Sequence, residues 1–240
     1  MRILIVNDDS ISAPGIVYLA KAAAQFGEVW VVAPKEQCSA MSQKLTLREL
    51  ISLEKVDDFP VEVHAAYKIG GTPVDCVKVA LEHIMTEKPD VVFSGINNGY
   101  NAGYDIAYSG TLGAAFEAAR WGIPAYAFSI AHESWLAQAE EYFVPIIREV
   151  LQNPVERGVV WNVNFPSMRD GAPKGVLRDR TIAPSSMFRE VYVESKLEDG
   201  TTVLTCKGIP APDDVMTEDS DAYAVRNGYI SISKVKCGVM

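Results

Sequence analysis

The sequence predicts an α/β protein, with a mainly parallel sheet covered by helices on both faces and a β-hairpin elaboration late in the chain. Three observations carry that reading. From Met1 to Pro166, apolar runs rich in β-branched residues alternate with stretches of helical period. Capping and stop residues mark the joints between them. After Pro166 the hydrophobic periods shorten, Pro, Gly and Asp cluster, and strand-like alternation takes over.

Taken in order, Arg2–Val6 is a short apolar run that reads as a buried parallel strand. Gly15–Phe26 places Ile16, Leu19, Ala20, Ala23 and Ala24 at helical spacing, and Gly27 stops it. Glu28–Ala33 reads as a second strand closed by Pro34. A polar loop over Lys35–Lys44 and apolar runs near Leu45–Leu53 and Val61–Ala66 follow. Thr72-Pro73-Val74-Asp75 opens a helix expected to reach Met85: Thr as cap, Pro at the first helical position, Asp reaching back to the cap. Asp90–Phe93 is a strand leading into the long polar loop Ser94–Ser109. A small-residue helix (Thr111–Trp121), a strand (Ile123–Ser129), a long helix (Ser134–Leu151) and another strand (Val159–Asn164) come next. Ser167–Pro212 is read as hairpin elaboration, with strands at Phe188–Val193 and Thr201–Thr205, then an acidic loop (Asp213–Asp221) and a late strand (Tyr229–Ser233). A chain of 240 residues can bury one substantial core, so residues 1–240 are expected to form a single domain.

Composition narrows the function. A net charge of −9 lacks the basic face expected of a nucleic-acid-binding surface. No apolar run approaches the roughly 20 residues a membrane helix needs, and MRILIV runs straight into NDD without a cleavage region, so the expected location is cytoplasmic. The four cysteines have no metal-ligand spacing, and none of the three histidines pairs at helical spacing. Any metal is therefore expected to sit among oxygens, which favours Mg²⁺ or Mn²⁺.

Ligands of open α/β sheets bind outside the carboxyl ends of the strands, and three polar loops follow three predicted strands here. The first carries Asp8 and Asp9. Two adjacent carboxylates at the rim of an apolar sheet repel each other and lose solvation, and a cation between them relieves both costs. A lone aspartate would more simply be a helix cap; two together point to metal. The second loop, Cys38–Ser42, offers hydroxyls, a weak signal by itself. The third contains three glycines, Asn97, Asn98 and Asn101, then Ser109-Gly110-Thr111 at the start of a helix, where free N–H groups and hydroxyls form an anion site. Gly70-Gly71-Thr72 is a turn that can line the cleft, and His132 reads as a surface histidine.

The segments MRILIVNDDSISAPGI, VVAPKEQCSAMSQKLTL, GTPVDCV, PDVVFSGINNGYNAG, YSGTLGAA and NVNFP, with SDAYAVRNGYISIS near the end, resemble the survival protein SurE family. The resemblance covers most of the chain, and its combined motifs are far more specific than any one loop. It implies a three-layer Rossmann-like α/β domain with a hairpin extension, assembled as a homodimer or homotetramer, that hydrolyses nucleoside monophosphates. It also implies one divalent cation held by positions matching Asp8, Asp9, Ser39 and Asn97. Two departures stand out: Ser10 where the family usually has glycine, and Cys38-Ser39-Ala40 where it usually has Arg-Ser-Gly.

The mechanism expected from this pattern is metal-assisted hydrolysis, with Asp8 or Asp9 orienting or deprotonating the attacking water. Asn97, Ser109, Gly110 and Thr111 are expected to contact the phosphate. An aspartyl-phosphate phosphatase would need Asp-x-Asp after the first strand, whereas the acids here are adjacent. A non-catalytic nucleotide-binding protein on the same loops is the competing class. A dinucleotide site is disfavoured because no G-x-G-x-x-G turn follows the first strand.

Overall fold

A computed structural model describes residues 1–153, 155–212 and 216–238. Eleven strands and five α-helices are present among them: β1 (Arg2–Val6), α1 (Pro14–Ala23), β2 (Glu28–Pro34), β3 (Leu53–Lys55), β4 (Ala65–Ile69), α2 (Pro73–Val79), β5 (Val91–Asn98), α3 (Gly110–Arg120), β6 (Ala125–Ile130), α4 (Leu136–Gln152), β7 (Val159–Phe165), β8 (Val176–Arg180), β9 (Phe188–Lys196), β10 (Thr202–Pro210), α5 (Asp221–Arg226) and β11 (Ile230–Lys236). Nine strands form one sheet in the order β3-β4-β2-β1-β5-β6-β7-β11-β8. From β4 to β7 every neighbouring pair is parallel.

Side chains alternate across a strand, and β1 shows what that does here. Ile3 and Ile5 join a core with Leu19 of α1 and Phe143 of α4, while Leu4 and Val6 join a second core with Val77 of α2 and Leu112 of α3. The result is three layers, with the sheet in the middle, as the family resemblance implied. Chain order runs outward from β1 through β2 to β4 on one side and through β5, β6 and β7 on the other. The reversal lies between β1 and β5. That gap is where a doubly wound sheet leaves a crevice at its carboxyl edge.

Several elements differ from the expected ones. β5 continues past Phe93 to Asn98, so Asn97 and Asn98 lie on a strand end and not in a loop. Its pairing with β6 slips between Ser94 and Asn97, and the Gly95–Ile96 peptide is cis. The helix after Thr72 has the predicted capping box but loosens into a π-helical turn over Ala80–Ile84. Within 167–212, only β9 and β10 form the separate hairpin, with nine paired residues on each strand. β8 returns to the main sheet beside β11; its half-exposed VLRDR sequence has no apolar run to announce it. Of the expected acidic loop, Asp213 and Asp214 lie outside the described residues. Its end is not a solvated loop: Ser220 caps α5, and Asp221 is fully buried.

Candidate active site

β1 delivers Asp8 and Asp9 to the crevice. Asn7 is buried beneath them, and its amide donates to the Ser10 carbonyl at 2.7 Å, closing the turn that follows the strand. Ser10 turns the chain with φ 91°, a conformation that favours glycine.

Asp8 is 3% exposed. Its Oδ1 accepts a 2.7 Å hydrogen bond from the Thr111 hydroxyl, so the start of α3 is aimed at this carboxylate. The approach is close: a Cβ on Gly110 would stand 2.9 Å from the Asp8 Cβ and 3.0 Å from its Oδ2. Any side chain there would displace the acid. Burial pushes the Asp8 carboxyl up to about 7; the Thr111 hydroxyl opposes the rise, and the Asp9 charge adds to it. Asp9 is less enclosed. Its Oδ2 accepts from the Asn98 backbone N–H at 2.8 Å and its Oδ1 from the Gln37 amide at 3.3 Å. Loss of solvation raises its carboxyl as well, against the pull of those two donors. Asn98 reaches onward, its side-chain oxygen accepting from the Glu133 N–H at 2.9 Å.

The second loop is pinned at both ends. The Cys38 N–H donates to the Asp8 carbonyl at 2.7 Å, and the Ser42 N–H to the Tyr108 carbonyl at 2.9 Å. Further along, Asp75 of α2 accepts from the Thr46 N–H and hydroxyl as well as from the Thr72 N–H, while the Thr72 hydroxyl donates to the Lys44 carbonyl at 2.6 Å. The capping box of α2 is thus also a clasp on the loop that carries Ser39.

The structure brings Asp8, Gly110 and Thr111 together and sets Asp9 against Asn98. Asn97 is half-buried, and its Nδ2 donates to the Gly99 carbonyl at 2.8 Å, leaving Oδ1 as the atom available to a cation. Ser39 is exposed one residue beyond the Cys38–Asp8 bond; its hydroxyl bonds to none of the described residues. Ser109 caps α3 by accepting from the Leu112 N–H at 3.1 Å, which leaves its own hydroxyl proton free. Thr111, by contrast, is fully buried, with its hydroxyl committed to Asp8. Gln37 and the Asn98 N–H were not singled out from sequence, since a backbone donor has no residue signature. His132 lies at the surface, bonded to Ser134. The chemistry on offer at this rim is a set of oxygen donors, two of them carboxylates whose charge is poorly solvated.

Comparison with known proteins decides the lineage. The family model for "Survival protein SurE" matches residues 3–211. The chain belongs to the SurE family. The "5'-nucleotidase SurE" of Flavobacterium psychrophilum is 39% identical over 98% of this chain and 91% of that protein. The "5'-nucleotidase SurE 1" of Thermus thermophilus is 38% identical over 98% and 91%. The crystal structure of the SurE protein from Aquifex aeolicus superposes with a TM-score of 0.81 at 32% identity, covering 98% of this chain and 93% of that one. The three-layer SurE fold and the separate two-stranded hairpin agree with that match.

Proposed function

We propose that this chain is a divalent-metal-dependent phosphomonoesterase that hydrolyses nucleoside monophosphates to nucleoside and phosphate. The observation that carries the reading is the pair Asp8 and Asp9, held at the β1–β5 crevice with one acid buried against the start of α3. The printed names of SurE relatives as 5'-nucleotidases support the substrate class.

The residues fit a hard cation. Burial, with the Asp9 charge adding to it and the Thr111 hydroxyl opposing it, takes the Asp8 carboxyl up to about 7, so an ionised acid there wants a positive partner, and the surrounding donors are oxygens. Asp8, Asp9, Ser39 and Asn97 would hold Mg²⁺ or Mn²⁺, which supplies Lewis-acid polarisation and positive charge at the phosphoryl group. Asp9, the more open acid, is fixed in place by Gln37 and Asn98 and accepts a proton from the attacking water. Ser109, its oxygen already accepting from Leu112, donates its proton to a phosphate oxygen. The Gly110 N–H at the first turn of α3 adds a second donor where charge builds up. Water adds at phosphorus, the ester P–O bond breaks, and the released nucleoside oxygen takes up a proton. The same reading assigns a cytoplasmic homodimer or homotetramer; among the described residues no helix is long and apolar enough to cross a membrane.

Phosphate release from AMP and GMP, with Mg²⁺ or Mn²⁺ and then with EDTA, tests the reading. Activity should vanish in EDTA, and Asp9→Asn should lose about 100-fold in turnover, the scale of a lost acid–base group. Undiminished release in EDTA removes the metal; nucleotide binding without any release identifies a binder instead.

A further inference from the structure

We propose that Asn164 and Asn162 of β7 are positioning residues for the metal and phosphate donors, acting through the main chain of Asn101. The inference rests on the metal-dependent reading and extends it to a strand two places beyond β5 in the sheet. On the α3 side of that sheet the residue pattern changes toward the carboxyl edge. Val92 of β5, Ala125 and Ala127 of β6 and Val160 of β7 belong to the apolar core that includes α2 and α3. Alternation along the same strands puts Ser94, Ser129, Asn162 and Asn164 next on that face, and all four are fully buried. Buried amides and hydroxyls cost free energy unless they are bonded, and a valine or alanine would continue the core at each of these positions. The side-chain amides of the two asparagines all point to one residue.

Asn101 lies on the chain between β5 and α3. The Asn164 side chain grips it twice: Oδ1 accepts the Asn101 N–H at 2.9 Å, and Nδ2 donates to the Asn101 carbonyl at 3.1 Å. The Asn162 Nδ2 donates to the same carbonyl at 2.8 Å, and the Asn101 Nδ2 donates to the Ser129 hydroxyl oxygen at 2.8 Å. A side-chain amide here does for a loop what a neighbouring strand does for a strand. The grip is in line with the site, since Asn164 pairs with Ser129 and Ser129 with Asn97. Among the described residues, Asn101 is the one member of 100–102 whose main chain is hydrogen-bonded. Gly99 and Gly103 flank it, at φ 131° and 59°. Both donate their own N–H, to the Ile130 carbonyl and the Asp221 carboxylate, but a glycine backbone is permissive and Asn101 fixes the chain between them. On one side the chain returns to Asn98, whose N–H meets Asp9, and to Asn97, whose Nδ2 is tied to the Gly99 carbonyl. On the other it runs to Ser109 and to Thr111, whose hydroxyl meets Asp8. Holding Asn101 therefore holds both arms of the site, and residues that orient a metal's donors tune its affinity.

The test measures the Mn²⁺ dissociation constant of the folded protein by electron paramagnetic resonance, with urea unfolding and metal-free amide hydrogen exchange alongside. Asn164→Ala removes both grips on Asn101, and Asn162→Ala removes a single donor. Ser231→Ala is the control: Ser231 pairs with Asn164 from β11, is fully buried, and its hydroxyl has no partner among the described residues. Asn164→Ala should raise the Mn²⁺ dissociation constant by about 10-fold, the low end for outer residues that orient a metal's donors. Asn162→Ala should raise it less, and Ser231→Ala should leave it unchanged. In the metal-free protein, the Asn98 N–H should exchange faster in Asn164→Ala than in wild type or Ser231→Ala. Wild-type values of both quantities in folded Asn164→Ala, or in Asn162→Ala if the former does not fold, overturn the positioning role and leave the metal-dependent reading intact. A loss of stability with both quantities unchanged overturns it equally. Wild-type protein that binds no Mn²⁺ overturns both.

Discussion

Asp8 sits where a carboxylate has lost most of its water and gained one hydroxyl and the start of a helix in return. Without a cation the folded state prefers its protonated form. A carboxyl raised on folding contributes stability below its unfolded value near 3.8 and loses it as pH rises through about 7. Asp8→Asn should therefore be more stable than wild type in EDTA at pH 8, by on the order of 2–4 kcal/mol. The gap should close toward pH 4; urea unfolding at both pH values measures it. Adding Mn²⁺ should raise the melting temperature of wild type and not of Asp8→Asn. Ser10 makes a separate prediction. With φ 91° it occupies glycine territory and carries a Cβ, so Ser10→Gly should stabilise the protein by about 0.5–1 kcal/mol in urea titration. The NDD run after an apolar strand made both acids legible in the sequence. The roles of Thr111 and Asn98 were not, because a hydroxyl that reads as a phosphate donor turns inward to Asp8, and a backbone N–H is common to all residues but proline.

The second loop is held in place from α2, which forms no hydrogen bond with the Asp8 or Asp9 side chain among the described residues. Asp75 is 2% exposed and accepts from three donors, two of them on Thr46. Asp75→Ala should cost about 1–3 kcal/mol in urea unfolding, because buried donors lose their partner. It should also raise the Mn²⁺ concentration needed for half-maximal thermal stabilisation, since the loop carrying Ser39 comes loose. Asp75→Glu should restore less than half of either effect, its longer side chain overshooting the box. Sequence reasoning identified the capping box from Thr-Pro-Val-Asp alone; the clasp on Thr46 and Lys44 depends on how a distant loop folds back. β8 was invisible for a related reason: an edge strand with charged, half-exposed residues has no periodicity to detect. Asp221 was misread because an acid at the end of an acidic run resembles its neighbours. In the fold it is buried, accepting from the Gly103 and Ala183 N–H groups.

Across the molecule, the hairpin of β9 and β10 stands apart from the nine-stranded sheet. Phe188 and Tyr192 of β9 share one of its faces with Leu204 of β10, and Tyr192 and Leu204 are 69% and 62% exposed. Two isolated strands are marginal in water, and such a face suits burial against another copy of the chain. For the proposed homodimer or homotetramer, Tyr192→Glu with Leu204→Lys should shift sedimentation toward a smaller species; an unchanged profile rules this face out as its interface. The general α/β layering was readable because strand and helix periods alternate so regularly through the first half. The site is another matter of scale, for β1 and β5 are neighbours in space while the acids and the helix that receives them lie about a hundred positions apart along the chain. During synthesis the N-terminal segment leaves the ribosome carrying both acids, with Asp8 103 positions ahead of the Thr111 that covers it. Only when α3 has emerged can Thr111 close over Asp8, so the burial of that carboxyl waits on the central strands and on the helix that follows them.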